Sequence, residues 1–352
     1  MRVLEIMGSL HRGGAETMIM NYYRAFDKDI CQMDFVVHME KEDDFRQEAE
    51  SMGARIFLLP RPGDVGALKY ISALKKLIKE KGPFDAVHIH TNYQAFMGVI
   101  AAKLAGVKNV VVHSHTTSFK KHRLVVNRLF FFLGNVVRVA CGKKAGDAFF
   151  GKDSYIVVSN AMDVSKFMYV DDNHVKNEKV VIGHIGRFVT PKNHAFIIEL
   201  AKKLKQMNVD VVFKLFGDGE LKEEMVRTVE RNSLQDVVEF MGITNDTVAA
   251  YKSFDLFVLP SLFEGVPLTL IEAQLSGLVC LASDKVAEES NLDQGNLCFL
   301  PLDVELWAER IQTLIKDSRL SKSSITVNEK INEYDVRIQC KKLLSVYEGI
   351  LK

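Results

Sequence analysis

The stretch Gly183-His184-Ile185-Gly186-Arg187-Phe188-Val189-Thr190-Pro191-Lys192-Asn193-His194 follows a β-branched, apolar run beginning at Val180 and precedes a segment with helical apolar spacing. It therefore predicts a strand, a glycine-containing turn and a helix in succession. Such a joint directs backbone amides and a helix N-terminus at an anion, and Arg187 and Lys192 bring two charges that can converge on a diphosphate. A surface loop with two solvated cations accounts for these residues equally well when they are read alone.

The same alternation continues in both directions. Short apolar runs predict strands over 2–7, 34–38, 55–59, 85–89, 109–113, 137–141 and 155–158, then over 180–185, 211–216, 237–240, 256–259, 279–282 and 297–300. Longer amphipathic segments separate them, which is the pattern of parallel strands joined by helices, an α/β class. The halves echo each other: Ile6-Met7-Gly8-Ser9 and Ile185-Gly186-Arg187 each end a first strand in glycine. At 352 residues the chain exceeds what one core usually supports, so two doubly wound domains are expected, with a cleft at the strand C-termini. The first spans 1–165 and the second 180–334. The polar linker over 166–179 contains Asp171-Asp172-Asn173-His174, and the apolar face of 335–352 predicts a last helix, expected to pack back on the first domain.

A second stretch, Glu264-Gly265-Val266-Pro267-Leu268-Thr269-Leu270-Ile271-Glu272, places one carboxylate in a loop after the strand 256–259 and another inside the helix that follows. Both can accept hydrogen bonds from hydroxyls of a ligand at that helix N-terminus. Read singly, Glu264 is more simply an acid complementing a helix dipole, and Glu272 a solvated position on a helix face.

Composition excludes several classes. Lys plus Arg (46) balances Asp plus Glu (45), so no bulk field favours nucleic acid. Five scattered cysteines form neither a disulfide framework nor a paired metal motif and predict reduced, buried thiols. No export signal and no apolar run of spanning length is present, which predicts a cytoplasmic protein. The segment Gly8-Ser9-Leu10-His11-Arg12-Gly13-Gly14 is not a dinucleotide fingerprint, and this counts against an oxidoreductase.

Taken in order, these motifs resemble the retaining, two-Rossmann-domain (GT-B) glycosyltransferases of family 4, above all those building capsular, exopolysaccharide and lipid-linked glycans. The likeness extends to Gly13-Gly14-Ala15-Glu16, His113-Ser114-His115-Thr116, Val158-Ser159-Asn160-Ala161-Met162-Asp163 and Phe216-Gly217-Asp218-Gly219. The resemblance implies that Arg187 and Lys192 neutralise a departing nucleoside diphosphate. It also implies that Glu272 holds the ribose, that Glu264 holds a donor-sugar hydroxyl, and that Gly186 and the backbone from Gly265 through Val266 and Pro267 to Leu268 meet sugar and phosphate. Gly13 and Gly14 would let the first-domain loop approach the same phosphates. The implied donor is a UDP-sugar and the acceptor a glycan or lipid-linked glycan. No cofactor or metal is implied, and no Asp-x-Asp pair after a strand speaks for one.

The family also places a histidine near the donor sugar. His113 and His115 share one face of a strand; His115 is favoured because the strand should give way to a loop there, and His113 better fits a core position. Asn160-Ala161-Met162-Asp163 departs from the family's Asn-Gly, so Asn160 receives no catalytic role.

Residues 119–133 carry Lys120, Lys121, Arg123 and Arg128 beside Leu129-Phe130-Phe131-Phe132-Leu133 and no acid, which fits either a helix on an anionic membrane surface or a core helix with solvated cations. The first would make the protein peripheral to the inner face of the membrane. Two other readings share this fold: a sugar-nucleotide 2-epimerase and a non-catalytic partner subunit of a transferase.

Overall fold

The computed structural model describes residues 1–11, 13–39, 45–91, 94–115, 127, 136–152, 155–169 and 178–351. The segment 119–133 lies outside these apart from Asn127, as do Thr116 and residues 170–177 of the expected linker.

The chain forms two compact units, one comprising Met1–Asp163 with Asn332–Lys352 and the other Val164–Ile331. The second begins a few residues before the expected linker because Tyr169 donates its backbone amide to the Leu275 carbonyl.

The first unit holds seven parallel strands: β1 (Arg2–Ile6), β2 (Gln32–Val37), β3 (Ile56–Leu58), β4 (Ala86–Ile89), β5 (Asn109–Ser114), β6 (Val137–Ala140) and β7 (Ile156–Val157), in the order β3-β2-β1-β4-β5-β6-β7. The second holds six: β8 (Val180–Ile185), β9 (Val211–Phe216), β10 (Val238–Gly242), β11 (Leu256–Leu259), β12 (Val279–Ser283) and β13 (Leu297–Leu300), in the order β10-β9-β8-β11-β12-β13. All of these strand pairs are parallel. Both faces are covered by helices, so central strands such as Leu256-Phe257-Val258-Leu259 are apolar throughout rather than alternating.

In each sheet the order reverses once, between β1 and β4 and between β8 and β11. At such a reversal the loops leaving neighbouring strands diverge and open a crevice at their C-terminal ends. Met7-Gly8-Ser9 and His90 lie at the first switch point; Gly186-Arg187 and Pro260-Ser261 lie at the second.

Two helices pack these sites from below. His194–Gln206 buries Phe196, Ile197, Leu200, Ala201 and Leu204 against the second sheet, beside the fully buried Trp307. The helix Val336–Tyr347 buries Val336, Cys340, Leu343, Val346 and Tyr347 in the core of the first unit, although more than 160 residues of the other unit precede it.

Candidate functional site

In the second unit, β8 runs into Gly186 and a 3-10 turn, Thr190–Lys192, before Asn193 adopts φ 57°, ψ 47° and opens the helix His194–Gln206. The Asn193 amide group donates to Pro260 O at 3.0 Å, and Leu262 N donates to Pro191 O at 2.8 Å, so the loop after β8 is fastened to the loop after β11. Phe216-Gly217-Asp218-Gly219 closes on it from the β9 side. Gly217 (φ +138°) and Gly219 (φ +155°) have left-handed backbones, and a Cβ on Gly217 would lie 2.1 Å from Gly186 O. Only glycine admits this approach.

This fastening brings two of the predicted residues together. Lys192 Nζ lies 2.6 Å from Glu264 Oε1, with the two side chains 18% and 19% exposed. Ser261 Oγ donates to the same oxygen at 3.4 Å. Glu264 is not a helix-terminal acid: the helix Leu268–Leu275 starts four residues later, and Glu264 forms a parallel bridge with Val286 and accepts from Ala287 N at 3.1 Å through its carbonyl. Arg187 is exposed and has no ion-pair partner among the described residues, so the two cations do not share a partner. Gly265 is exposed, Val266 and Leu268 are half-buried and Pro267 is buried. The amides of Gly265, Val266 and Leu268 have no backbone partner among the described residues and are available to a ligand.

Glu272 corrects the expectation of a solvated helix face. Its carboxylate accepts from the buried Tyr251 hydroxyl at 2.8 Å, and burial pushes its carboxyl up to about 7, with the Tyr251 hydrogen bond acting in the opposite direction. Tyr251, on the helix Thr247–Lys252, also lies 3.0 Å from Thr269 O. Beneath the turn, His184 and His194 are buried; His184 is kept neutral by burial and by His194, while burial and Lys192 bring His194 down to about 4. A Cβ on Gly186 would meet His184 Nε2 at 2.9 Å.

In the first unit, Gly13 precedes the helix Gly14–Ala25 and has an extended backbone (φ −132°), while Gly14 is its first residue, with open space where a Cβ would be. An open concavity of about 480 Å³ is lined by Gly8, Ser9, His38, Arg61, Asp64 and Thr91 at the C-terminal ends of β1, β2 and β4. β5 ends at Ser114, so His115 stands just past the strand while His113 is fully buried. The two rings stack at 4.2 Å between centroids.

Sequence reasoning missed the partners of these histidines. Glu5, His88, His90 and Tyr347 surround them in one buried cluster. The signal was present as two His-x-His repeats, 88–90 and 113–115, on strands that prove adjacent. His88, His90 and His113 offer nitrogens within 4.8 Å of one another, a spacing suited to a metal ion. Every nitrogen of His88 and His90 already has a hydrogen-bond partner, which favours a proton network instead.

Residues 168–330 match the family description "Glycosyl transferases group 1", and residues 13–140 match "Glycosyl transferase 4-like domain". EpsF of Bacillus subtilis is 34% identical over 368 residues, covering 98% of this chain and 96% of EpsF. The capsular polysaccharide biosynthesis glycosyltransferase CapH of Staphylococcus aureus is 24% identical, covering 98% of each chain. The crystal structure of HepE from Anabaena in complex with UDP and glucose superimposes with a TM-score of 0.75 at 18% identity, covering 99% of this chain and 98% of HepE. No helix among the described residues is long and apolar enough to cross a membrane.

Proposed function

The chain belongs to the GT-B glycosyltransferases of family 4, those of exopolysaccharide and capsule synthesis, and from that premise we propose that it is a retaining, metal-independent transferase moving a sugar from a UDP-sugar to a glycan or lipid-linked glycan. One observation carries the reading: Lys192 and Glu264 meet at 2.6 Å in the crevice between β8 and β11, beside the helix that holds Glu272.

In this reading Lys192 has two tasks. An ammonium has three donors, so the contact that holds Glu264 leaves others for a phosphate oxygen. Arg187, uncommitted in the free protein, adds the second charge. As the glycosidic bond breaks, negative charge grows on the nucleoside diphosphate, and these fixed cations stabilise it without a divalent ion. Glu264 accepts from a sugar hydroxyl, the free amides of Gly265, Val266 and Leu268 meet the sugar and the distal phosphate, and Glu272 accepts from the ribose. The acceptor hydroxyl enters on the face the leaving group departs from, which retains configuration. The HepE complex with UDP and glucose supports the choice of nucleotide.

A thermal-shift panel of nucleoside diphosphates and their sugars tests this, because a ligand that binds only the folded state raises the melting temperature. UDP and UDP-sugars are expected to raise it. Glu272→Gln should weaken the UDP response, and Glu264→Gln should leave it while reducing transfer. No response to any nucleoside diphosphate overturns the proposal, and interconversion of UDP-sugars without acceptor replaces it with the epimerase reading.

A further inference from the structure

Among the described residues, Phe263 is the only phenylalanine, tyrosine or tryptophan that is exposed. It is 66% exposed and belongs to neither core cluster of the second unit. Isolated surface leucines are ordinary, but a bare aromatic ring in a protein that covers its other described rings calls for an account.

The chain on either side of the ring is tied down. Leu262 N donates to Pro191 O at 2.8 Å, in the loop after β8. Glu264 N donates to Lys285 O at 3.4 Å, and Ala287 N returns a bond to Glu264 O at 3.1 Å, both in the loop after β12. Ser261, just before this pair of apolar residues, is fully buried. Three loops therefore fix the backbone that presents Phe263 to solvent.

The ring's neighbours are hydrogen-bonding groups. Glu264 follows it directly, with its carboxylate against Lys192. Next comes Gly265, with open space where a Cβ would lie, and the amides of Gly265, Val266 and Leu268 have no backbone partner among the described residues. A pyranose has two kinds of surface. Its rim of hydroxyls exchanges hydrogen bonds, which is what a carboxylate and free amides offer. Its faces carry C–H groups, apolar and slightly positive, and these pack on the negative face of an aromatic ring. A phosphate has no such face and would be repelled by the ring.

We propose that Phe263 is a substrate-binding residue whose ring packs on the C–H face of the donor sugar while Glu264 takes a hydroxyl of that same sugar. The proposal rests on the transferase reading above and deepens it. Consecutive residues of a fixed chain, about 3.8 Å apart at Cα, divide one sugar between its face and its rim.

Titration calorimetry with UDP, UDP-glucose, UDP-galactose and UDP-N-acetylglucosamine tests it. Phe263→Ala should bind the tightest of the three sugar nucleotides roughly three- to tenfold more weakly than the wild type, the scale of one aromatic contact, with UDP affinity unchanged. Phe263→Tyr keeps the ring face and should keep wild-type affinity. Phe263→Leu is apolar without a ring and should lose it, and this variant decides if Phe263→Ala does not fold. Leu262→Ala should match the wild type. Wild-type affinity for the sugar nucleotides in Phe263→Leu, an equal loss for UDP itself, or an equal loss in Leu262→Ala overturns the proposal and leaves the transferase reading standing. Failure of the wild type to bind UDP overturns both.

Discussion

If Glu272 accepts from the ribose as proposed, nucleotide affinity should depend on pH in a range where most carboxylates are silent. Burial holds its carboxyl at about 7, against an ordinary value of 4.5. Only the ionised form can accept hydrogen bonds from both ribose hydroxyls, and apparent affinity scales with the fraction of protein in the competent form. At pH 6 that fraction is about one-tenth and at pH 8 about nine-tenths, so the dissociation constant for UDP should tighten roughly tenfold between them. Near pH 7, binding should release about half a proton per nucleotide, measurable by titration calorimetry in two buffers of different ionisation enthalpy. The terminal phosphate of UDP also titrates near pH 6, so Glu272→Gln is the reference, and the tenfold term is the difference between the two slopes. Tyr251→Phe removes the hydroxyl that stabilises the charged form, so the profile should move to higher pH. Equal slopes in wild type and Glu272→Gln, or a Tyr251→Phe profile moved to lower pH, would refute the reasoning.

Charge reversal at Lys120, Lys121 and Arg123 is expected to release the protein from vesicles containing anionic phospholipid in a sedimentation assay; retention on them removes the membrane-surface assignment of 119–133. Gly217→Ala should lower stability by about 1–3 kcal/mol or more in a denaturant melt, because a new Cβ meets Gly186 O at 2.1 Å on a left-handed backbone. It should also weaken UDP binding by displacing the turn that carries Arg187, and wild-type values for both would show that this packing is not needed.

The strands were legible because parallel strands covered on both faces are written as continuous apolar runs, and turns such as Gly186-Arg187 punctuate them. Alternation also placed His113 and His115 on one face correctly. Partnership was not legible. Lys192 and Glu264 are 72 positions apart, and nothing in either local sequence says that Asn193 and Leu262 will tie their loops together. Glu272 sits on a helix whose spacing permits an exposed position, and it is the Tyr251 hydroxyl, from another helix, that gives this half-buried carboxylate a partner inside the protein. Glu5 lies within the first apolar run, and its partners are His90, 85 positions later, and Tyr347, 342 positions later.

That last contact sets an order on biosynthesis. The second unit is complete by Ile331, whereas the first still lacks the helix that closes its core. Although its strands are made first, the first unit must wait on the ribosome with Tyr22, Glu5 and His88 lacking the partners that Val336–Tyr347 supplies. The unit translated second can therefore be the first to finish folding. A stop codon before residue 332 would leave the second unit its full complement of residues and deprive the first of its last helix.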